Sequence, residues 1–406
     1  MSAGPARTDV VIVGACVGGL TVAQALRRRG FRGTLALIGA EDELPYDRPP
    51  LSKEVLSGRW PPERTRLRDR PELDGLDLDL RLGRPAVALD AARHRVTLSD
   101  GSTLRYGRLV VATGAHARRL PGQSGLAGVH TLRTLGDSAR LRDDLRTARR
   151  TVVVGAGVLG CEIAATVRGL GLPVTLVEPA AHPMERLLGA TIGGELARLH
   201  TEHGVRLLTS TPVTGLVGAA GRVTGVRTAS GAVVPGDVVV VAIGARPATD
   251  WLAGSGLTVD EGLVCDDRCR AADDVYAVGD VARFGASRTG GRGVRLENRT
   301  NATEQAMFVA TDILGGAAAV RYRPVPYFWS DQYGVRVQVY GSVPARSSVR
   351  IVEGSLADRR FVAHAEAAGR LVGVVGWNSA GRVRTARRLL DAAGPDPAAP
   401  LSSRPL

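Results

Sequence analysis

Two glycine-rich turns and a single lysine carry the chemistry open to this sequence. Gly14-Ala15-Cys16-Val17-Gly18-Gly19 and Gly155-Ala156-Gly157-Val158-Leu159-Gly160 each follow a β-branched run, Val10 to Val13 and Thr151 to Val154, and each leads into a helical pattern. In that order of strand, turn and helix, backbone N–H groups at a helix N-terminus cradle a dinucleotide pyrophosphate. Glycine spacing alone is a weak signal, and the placement between strand and helix is what raises it. Lys53, ending Arg48-Pro49-Pro50-Leu51-Ser52-Lys53, is the only lysine in a chain with 53 lysines and arginines together. A chain that keeps one ammonium has use for a compact point charge, able to sit beside a small polar atom and pair with one carboxylate, which the planar fork of arginine is not. The two prolines before it stiffen its approach.

The two turns differ in detail. Cys16 stands at the middle glycine of the first, where a missing side chain lets the backbone approach the pyrophosphate. After the strand Thr34 to Ile38, Ala40 occupies the place of a ribose-binding carboxylate and Glu41 follows one residue later. Either the grip on adenosine is weaker or Glu41 takes over. The second unit is more regular: Glu178 ends the strand from Val174 about twenty residues past the glycines, where it would accept from a ribose 2'-hydroxyl and repel a 2'-phosphate. This predicts NADH over NADPH, with Arg186 within loop reach.

Two such units imply two dinucleotides and electron transfer between them. The short strands from His94 to Arg150, with the Ala112-Thr113-Gly114 turn, read as the return of the first domain. Val238 to Ile243, with Gly244-Ala245-Arg246-Pro247, closes the second. Val275 to Val278 reads as a buried strand ending at Gly279 and Asp280, whose carboxylate could take the hydroxyls of a flavin's ribityl chain. The stretch from Tyr327 to about Leu390 alternates in short strands such as Val335 to Val339 and Leu371 to Val375 before a basic helix. The expected class is α/β, with two Rossmann-like dinucleotide-binding domains and a small C-terminal α+β domain.

Composition bounds the rest. With 406 residues, 44% hydrophobic, and mean hydropathy near zero, the chain suits two or three soluble domains. No apolar run reaches the roughly 18 residues of a membrane span, and Met1 to Asp9 lacks the layout of a signal peptide. A cytoplasmic location and no membrane partner are expected. Cys16, Cys161, Cys265 and Cys269 form no Cys-x-x-Cys pair, and Cys265 and Cys269 have no histidine pair nearby, so neither a dithiol centre nor a metal is expected. The net charge of +13 is spread as Arg27-Arg28-Arg29, Arg149-Arg150 and Arg387-Arg388 without aromatic interleaving, which argues against nucleic acid. It suits an acidic protein partner instead. Arg382, Arg384 and Arg387 read as a solvated helix face.

The glycine turns, Pro45-Tyr46-Asp47 leading into Lys53, Ala112-Thr113-Gly114, Tyr276 to Asp280, and Pro326-Tyr327-Phe328-Trp329-Ser330-Asp331-Gln332 together resemble one family over essentially the whole chain. It is the FAD-dependent NADH:ferredoxin reductases of the pyridine nucleotide-disulfide oxidoreductase fold, which serve bacterial cytochromes P450 and aromatic-ring dioxygenases. The resemblance implies that residues 1–118 and 247–325 bind FAD, 119–246 bind NAD, and 326–406 form the interface domain, with a disordered tail from about 394. It implies that Lys53 lies at the flavin face, paired with Glu162, as the catalytic set. Gly14, Cys16, Gly18, Gly19, Ala40, Glu41, Arg48, Val87, Thr113, Gly114, Arg133, Gly279, Asp280, Glu297, Asn298 and Arg299 would bind FAD, with Trp329 near the flavin. Arg299 stands where the family pattern is neutral. Gly155, Gly157, Leu159, Gly160, Glu178, Arg186 and Gly244 would hold NADH. The implied partner is a small acidic [2Fe-2S] or related ferredoxin, and the implied state a monomer or homodimer. The alternatives are a small-molecule oxidoreductase of a biosynthetic pathway on the same scaffold and a flavin-bearing interaction protein.

Overall fold

The β-branched run ahead of the first glycine turn is a strand, Arg7–Val13, whose last four residues are buried. Leu35–Ile38 is buried at every position. A strand apolar on both faces needs cover on both, the situation of a parallel sheet flanked by helices. The two strands do pair in parallel, Val10 opposite Leu35 and Val13 opposite Ile38. Their sheet continues to Leu78–Arg81 on one side and through Thr103–Val111, Val275–Ala277 and Arg270–Ala272 on the other; Ala86–Asp90 and Arg95–Leu98 branch from Thr103–Val111. This is a computed structural model, and it describes residues 7–286, 293–316 and 320–393. The tail expected to be disordered from about 394 lies outside the described residues.

A second parallel sheet runs in the order Arg206–Leu208, Val174–Val177, Thr151–Val154, Val238–Val241, Val129–His130. Val129–His130 thus belongs with the second glycine turn, and only the part of 94–150 up to Ala117 returns to the first sheet's side of the molecule. Two residues at a sheet edge carry too little periodicity to be assigned from sequence. The chain passes between the two sheets through the antiparallel pair Ala115–Ala117 and Ala245–Pro247.

From Tyr327 the chain forms a five-stranded antiparallel sheet, ordered Tyr327–Gln332, Val335–Gly341, Arg370–Trp377, Arg360–Ala367, Ser348–Ser355, against which Ala380–Ala393 packs. One apolar cluster joins Leu51, Val55 and Leu56, around Lys53, to Ile163 and Val167 of the second glycine turn's helix and to Val337, Phe361 and Trp377 of the last sheet. The lysine loop is therefore wedged where the second and third units meet. Among the described residues no helix is long and apolar enough to cross a membrane.

Candidate functional site

Pro49–Ser52 makes one 3-10 turn with proline at its first positions, and Lys53 follows as its C-terminal cap. Leu51 and Leu56 anchor the loop by burial, each worth roughly 1.5–3 kcal/mol. Two hydroxyls pin its carbonyls: Ser138 Oγ donates to Leu51 O at 3.0 Å and Thr166 Oγ1 to Ser52 O at 2.7 Å. So held, Lys53 Nζ lies 2.8 Å from Glu162 Oε2, with the side chains 11% and 6% exposed. At that burial neither charge could stand without the other. Glu162 sits on the helix Val158–Gly169, which is buried nearly all round, so its carboxylate must find donors within the protein. It finds three: Lys53, Ser52 Oγ at 2.6 Å on Oε2, and Ser330 Oγ at 3.0 Å on Oε1.

The first turn folds tightly on itself. Gly14 has φ +122°, a Cβ there would come 2.1 Å from Ala112 O, and one on Gly19 would come 2.0 Å from Gly14 O. Cys16 precedes the helix Val17–Arg28, whose N-terminus has no side-chain cap, and its thiol is engaged at 3.3 Å by Tyr46 O of the lysine loop. Ala40 is exposed, while Glu41 accepts from Tyr46 Oη at 2.6 Å and from Arg48 at 2.9 Å. Burial pushes the Tyr46 hydroxyl up, which keeps it a donor. Arg48 also donates to Arg133 O, and Arg133 bonds Asp280 Oδ2 at 2.9 Å. Four residues expected from four separate stretches thus form one chain of charge. Within it Arg133 Nε is buried without a partner, a donor that a ligand oxygen would satisfy.

Other expected positions lie around this chain. Thr113 Oγ1 donates to Ala248 O at 2.8 Å, with Gly114 at φ +71° beside it. Gly279, at φ +75°, donates its N–H to Gln305 Oε1 at 2.8 Å. Glu297 pairs with Arg295, and Asn298 caps the helix Arg299–Ile313 by accepting from Asn301 N. Arg299 Nε reaches both oxygens of Asp47, at 2.8 and 2.9 Å. Trp329 is partly buried and stacks on Tyr327. Val87 is half exposed on Ala86–Asp90 and has no part in these hydrogen bonds.

The second turn leaves room where the first has Cys16. A Cβ on Gly160 would come 1.8 Å from Gly155 O, whereas one on Gly157 would meet nothing within 4 Å. Glu178 accepts from Ala156 N at 2.5 Å and Ala180 N at 3.0 Å, which fixes its carboxylate at the turn. Leu159 is half-buried, Arg186 is exposed near the start of Glu185–Glu202, and Gly244, at φ +96°, precedes Ala245–Pro247. A cavity of about 1210 Å³ extends from Gly155 and Val177 to Arg133 and His116, above the ~300–1,000 Å³ usual for small-molecule sites. The tight turns, the uncapped helix N-termini, the open Gly157 and the orphan Arg133 Nε all fit two dinucleotides.

Burial raises the thiols of Cys161 and Cys265 well above their ordinary range and that of Cys269 to about 12, so these three remain protonated. Arg387, expected on a solvated face, instead lies partly buried over the Tyr340 ring, while Arg382 pairs with Glu353. The partners of Glu162 and Arg299, namely Ser52, Ser330 and Asp47, were not assigned from sequence. Period-2 alternation along Tyr327–Gln332 was the available signal for Ser330, since it sets Ser330 and Gln332 on the buried face.

The fold and site define a two-nucleotide oxidoreductase with a buried lysine–glutamate pair. Residues 8–306 match the family described as pyridine nucleotide-disulphide oxidoreductase, and residues 327–404 match the reductase C-terminal family. The chain is 39% identical over 384 residues to a rhodocoxin reductase of Rhodococcus erythropolis, covering 94% of this chain and 89% of that one. It is 39% identical over 402 residues to the ferredoxin--NAD(+) reductase component of an anthranilate 1,2-dioxygenase system of Burkholderia cepacia, covering 98% and 97%. Its structure superposes with a TM-score of 0.88, at 34% identity, on the reductase of a covalent putidaredoxin reductase–putidaredoxin complex, covering 96% of this chain and 94% of that one. The chain belongs to the pyridine nucleotide-disulphide oxidoreductase family.

Proposed function

We propose that this chain is an FAD-dependent reductase that passes electrons from NADH to a small acidic iron-sulfur ferredoxin, which in turn serves a cytochrome P450 or Rieske-type oxygenase. The observation that carries this reading is the Lys53–Glu162 pair, locked at 2.8 Å with Glu162 on the helix that follows the second glycine turn. The flavin, when bound, supplies the conversion of a two-electron hydride donor into one-electron steps. The protein supplies orientation and charge. Lys53 favours negative charge on a reduced cofactor, and Glu162 holds the ammonium in place and tempers it. Glu41, Arg48, Arg133 and Asp280 form the polar wall of the first site. Gly155, Gly157, Gly160 and Glu178 form the second, with Glu178 favouring NADH.

Relatives named as ferredoxin reductase components support the acceptor, and the net charge of +13 supports its acidity. Attraction between opposite charges would make the rate of encounter fall as salt rises. The test is an absorbance spectrum of the purified protein, followed by anaerobic NADH with NADPH as control, and then an oxidised [2Fe-2S] ferredoxin. A flavin spectrum bleached by NADH and restored by the ferredoxin is expected. A colourless protein that FAD does not restore would overturn the reading.

A further inference from the structure

Glu162 is held by three donors from two separate parts of the chain, and one of them belongs to the C-terminal sheet. Ser330, 1% exposed, gives its hydroxyl to Glu162 Oε1 at 3.0 Å. Gln332, on the same buried face of Tyr327–Gln332, donates from Nε2 to Ser330 Oγ at 2.8 Å. A hydroxyl has one proton, so accepting from Gln332 leaves Ser330 its own proton for the carboxylate. The same amide Nε2 also reaches Met184 Sδ at 3.9 Å. Gln332 neighbours the buried His200, whose Nδ1 lies 3.1 Å from the Tyr333 hydroxyl, and burial keeps that hydroxyl protonated. With Tyr333 donating to Nδ1, the imidazole proton sits on Nε2. His200 Nε2 and Gln332 Oε1 are both buried without a hydrogen-bond partner. Gln332 and Ser330 therefore line up with their donors pointing towards Glu162.

We propose that Ser330 is a positioning residue of the flavin-side charge pair, its proton aimed at Glu162 by Gln332, so that the C-terminal domain sets how strongly Glu162 draws on Lys53. Without Ser330 the carboxylate has only Ser52 and Lys53 to lean on and tempers the ammonium more, which disfavours an electron-rich flavin. The inference rests on the reading of Lys53 and Glu162 as the flavin-side pair.

The experiment uses the FAD-loaded full chain and measures the flavin midpoint potential by dye equilibration, alongside the rate and affinity of NADH reduction. Ser330→Ala is expected to shift the potential to more negative values and to slow flavin reduction roughly tenfold at unchanged NADH affinity, the scale of one hydrogen bond to a charged group. Ser330→Thr, which keeps the hydroxyl, should restore both. Asp331→Asn, on the opposite face of the strand where it pairs with Arg336, should shift neither. In a Glu162→Gln background the Ser330→Ala shift should vanish, because the serine acts through the carboxylate. A wild-type potential in Ser330→Ala, or the same shift with and without Glu162, would overturn the proposal. Wild-type protein that binds FAD but is not reduced by NADH would instead overturn the reductase reading.

Discussion

Lys53 Nζ and Glu162 Oε2 lie 2.8 Å apart although they stand 109 positions apart in sequence, one on a proline-stiffened loop and the other on the helix of the second glycine turn. The contact ties the lysine loop to the helix that follows the second glycine turn.

Lys53→Ala should slow flavin reduction by NADH at least roughly tenfold, and up to ~10²-fold, the scale of losing one fixed electrostatic group. The dissociation constant for NADH should change little, because no atom of Lys53 lines the cavity beside Gly155. Lys53→Arg should not rescue the rate, since the guanidinium is too broad for a contact closed in by Ser52 and Glu162. Stopped-flow reduction over a range of NADH concentrations separates the two quantities. Equal losses in rate and affinity would move Lys53 from electrostatics to nucleotide binding.

Glu178→Ala should relax the preference for NADH by roughly tenfold or more, read as the ratio of kcat/KM for NADH and NADPH. The carboxylate is held by Ala156 N and Ala180 N, so it cannot swing away from a 2'-phosphate. Unchanged discrimination would show that another group reads the ribose.

His200 makes stability depend on pH. Burial lowers its pKa to about 4 from an ordinary 6.5. The unfolded chain therefore takes up a proton at higher pH than the folded one. The stabilisation is complete above about pH 6.5 and is lost as pH falls towards 4, amounting to about 2 kcal/mol by about pH 5. Urea unfolding at about pH 7.5 and about pH 5 should show that drop, and His200→Gln should reduce it by a similar amount. A variant as sensitive as the wild type would mean other groups dominate.

The parallel sheets were legible because strands such as Val10 to Val13 and Val238 to Val241 are continuous apolar runs, which only double-sided cover explains. The glycine turns were legible because Gly14 and Gly160 stand where any side chain would strike backbone. Val129–His130 was not, being two residues long. The ion pairs of Asp47 with Arg299 and Glu41 with Arg48 were also beyond sequence reading, because pairing between loops depends on how elements pack and leaves no periodic trace. The residue types around the site were visible, while one donor that completes it, Ser330, comes from the C-terminal sheet 168 positions from Glu162.

Gly157 and Gly160 separate nucleotide binding from folding. Gly160→Ala would push a methyl group to 1.8 Å from Gly155 O, a backbone atom, so the turn must distort. It should destabilise the protein by about 1–3 kcal/mol, the usual range for overpacking, and lower NADH affinity as a consequence. Gly157 has φ −72° and ψ −172°, which alanine adopts freely, and its added methyl meets nothing within 4 Å. Gly157→Ala should therefore fold with stability within about 1 kcal/mol of wild type, the loss of glycine at a helix N-cap roughly offsetting the gain in backbone order. Its methyl nevertheless occupies the space through which a pyrophosphate would reach the helix N-terminus. NADH affinity, read by titration of the flavin-loaded protein, should fall roughly tenfold or more. If Gly157→Ala binds NADH as the wild type does, the second glycine turn is not the nucleotide cradle, whatever Gly160→Ala shows.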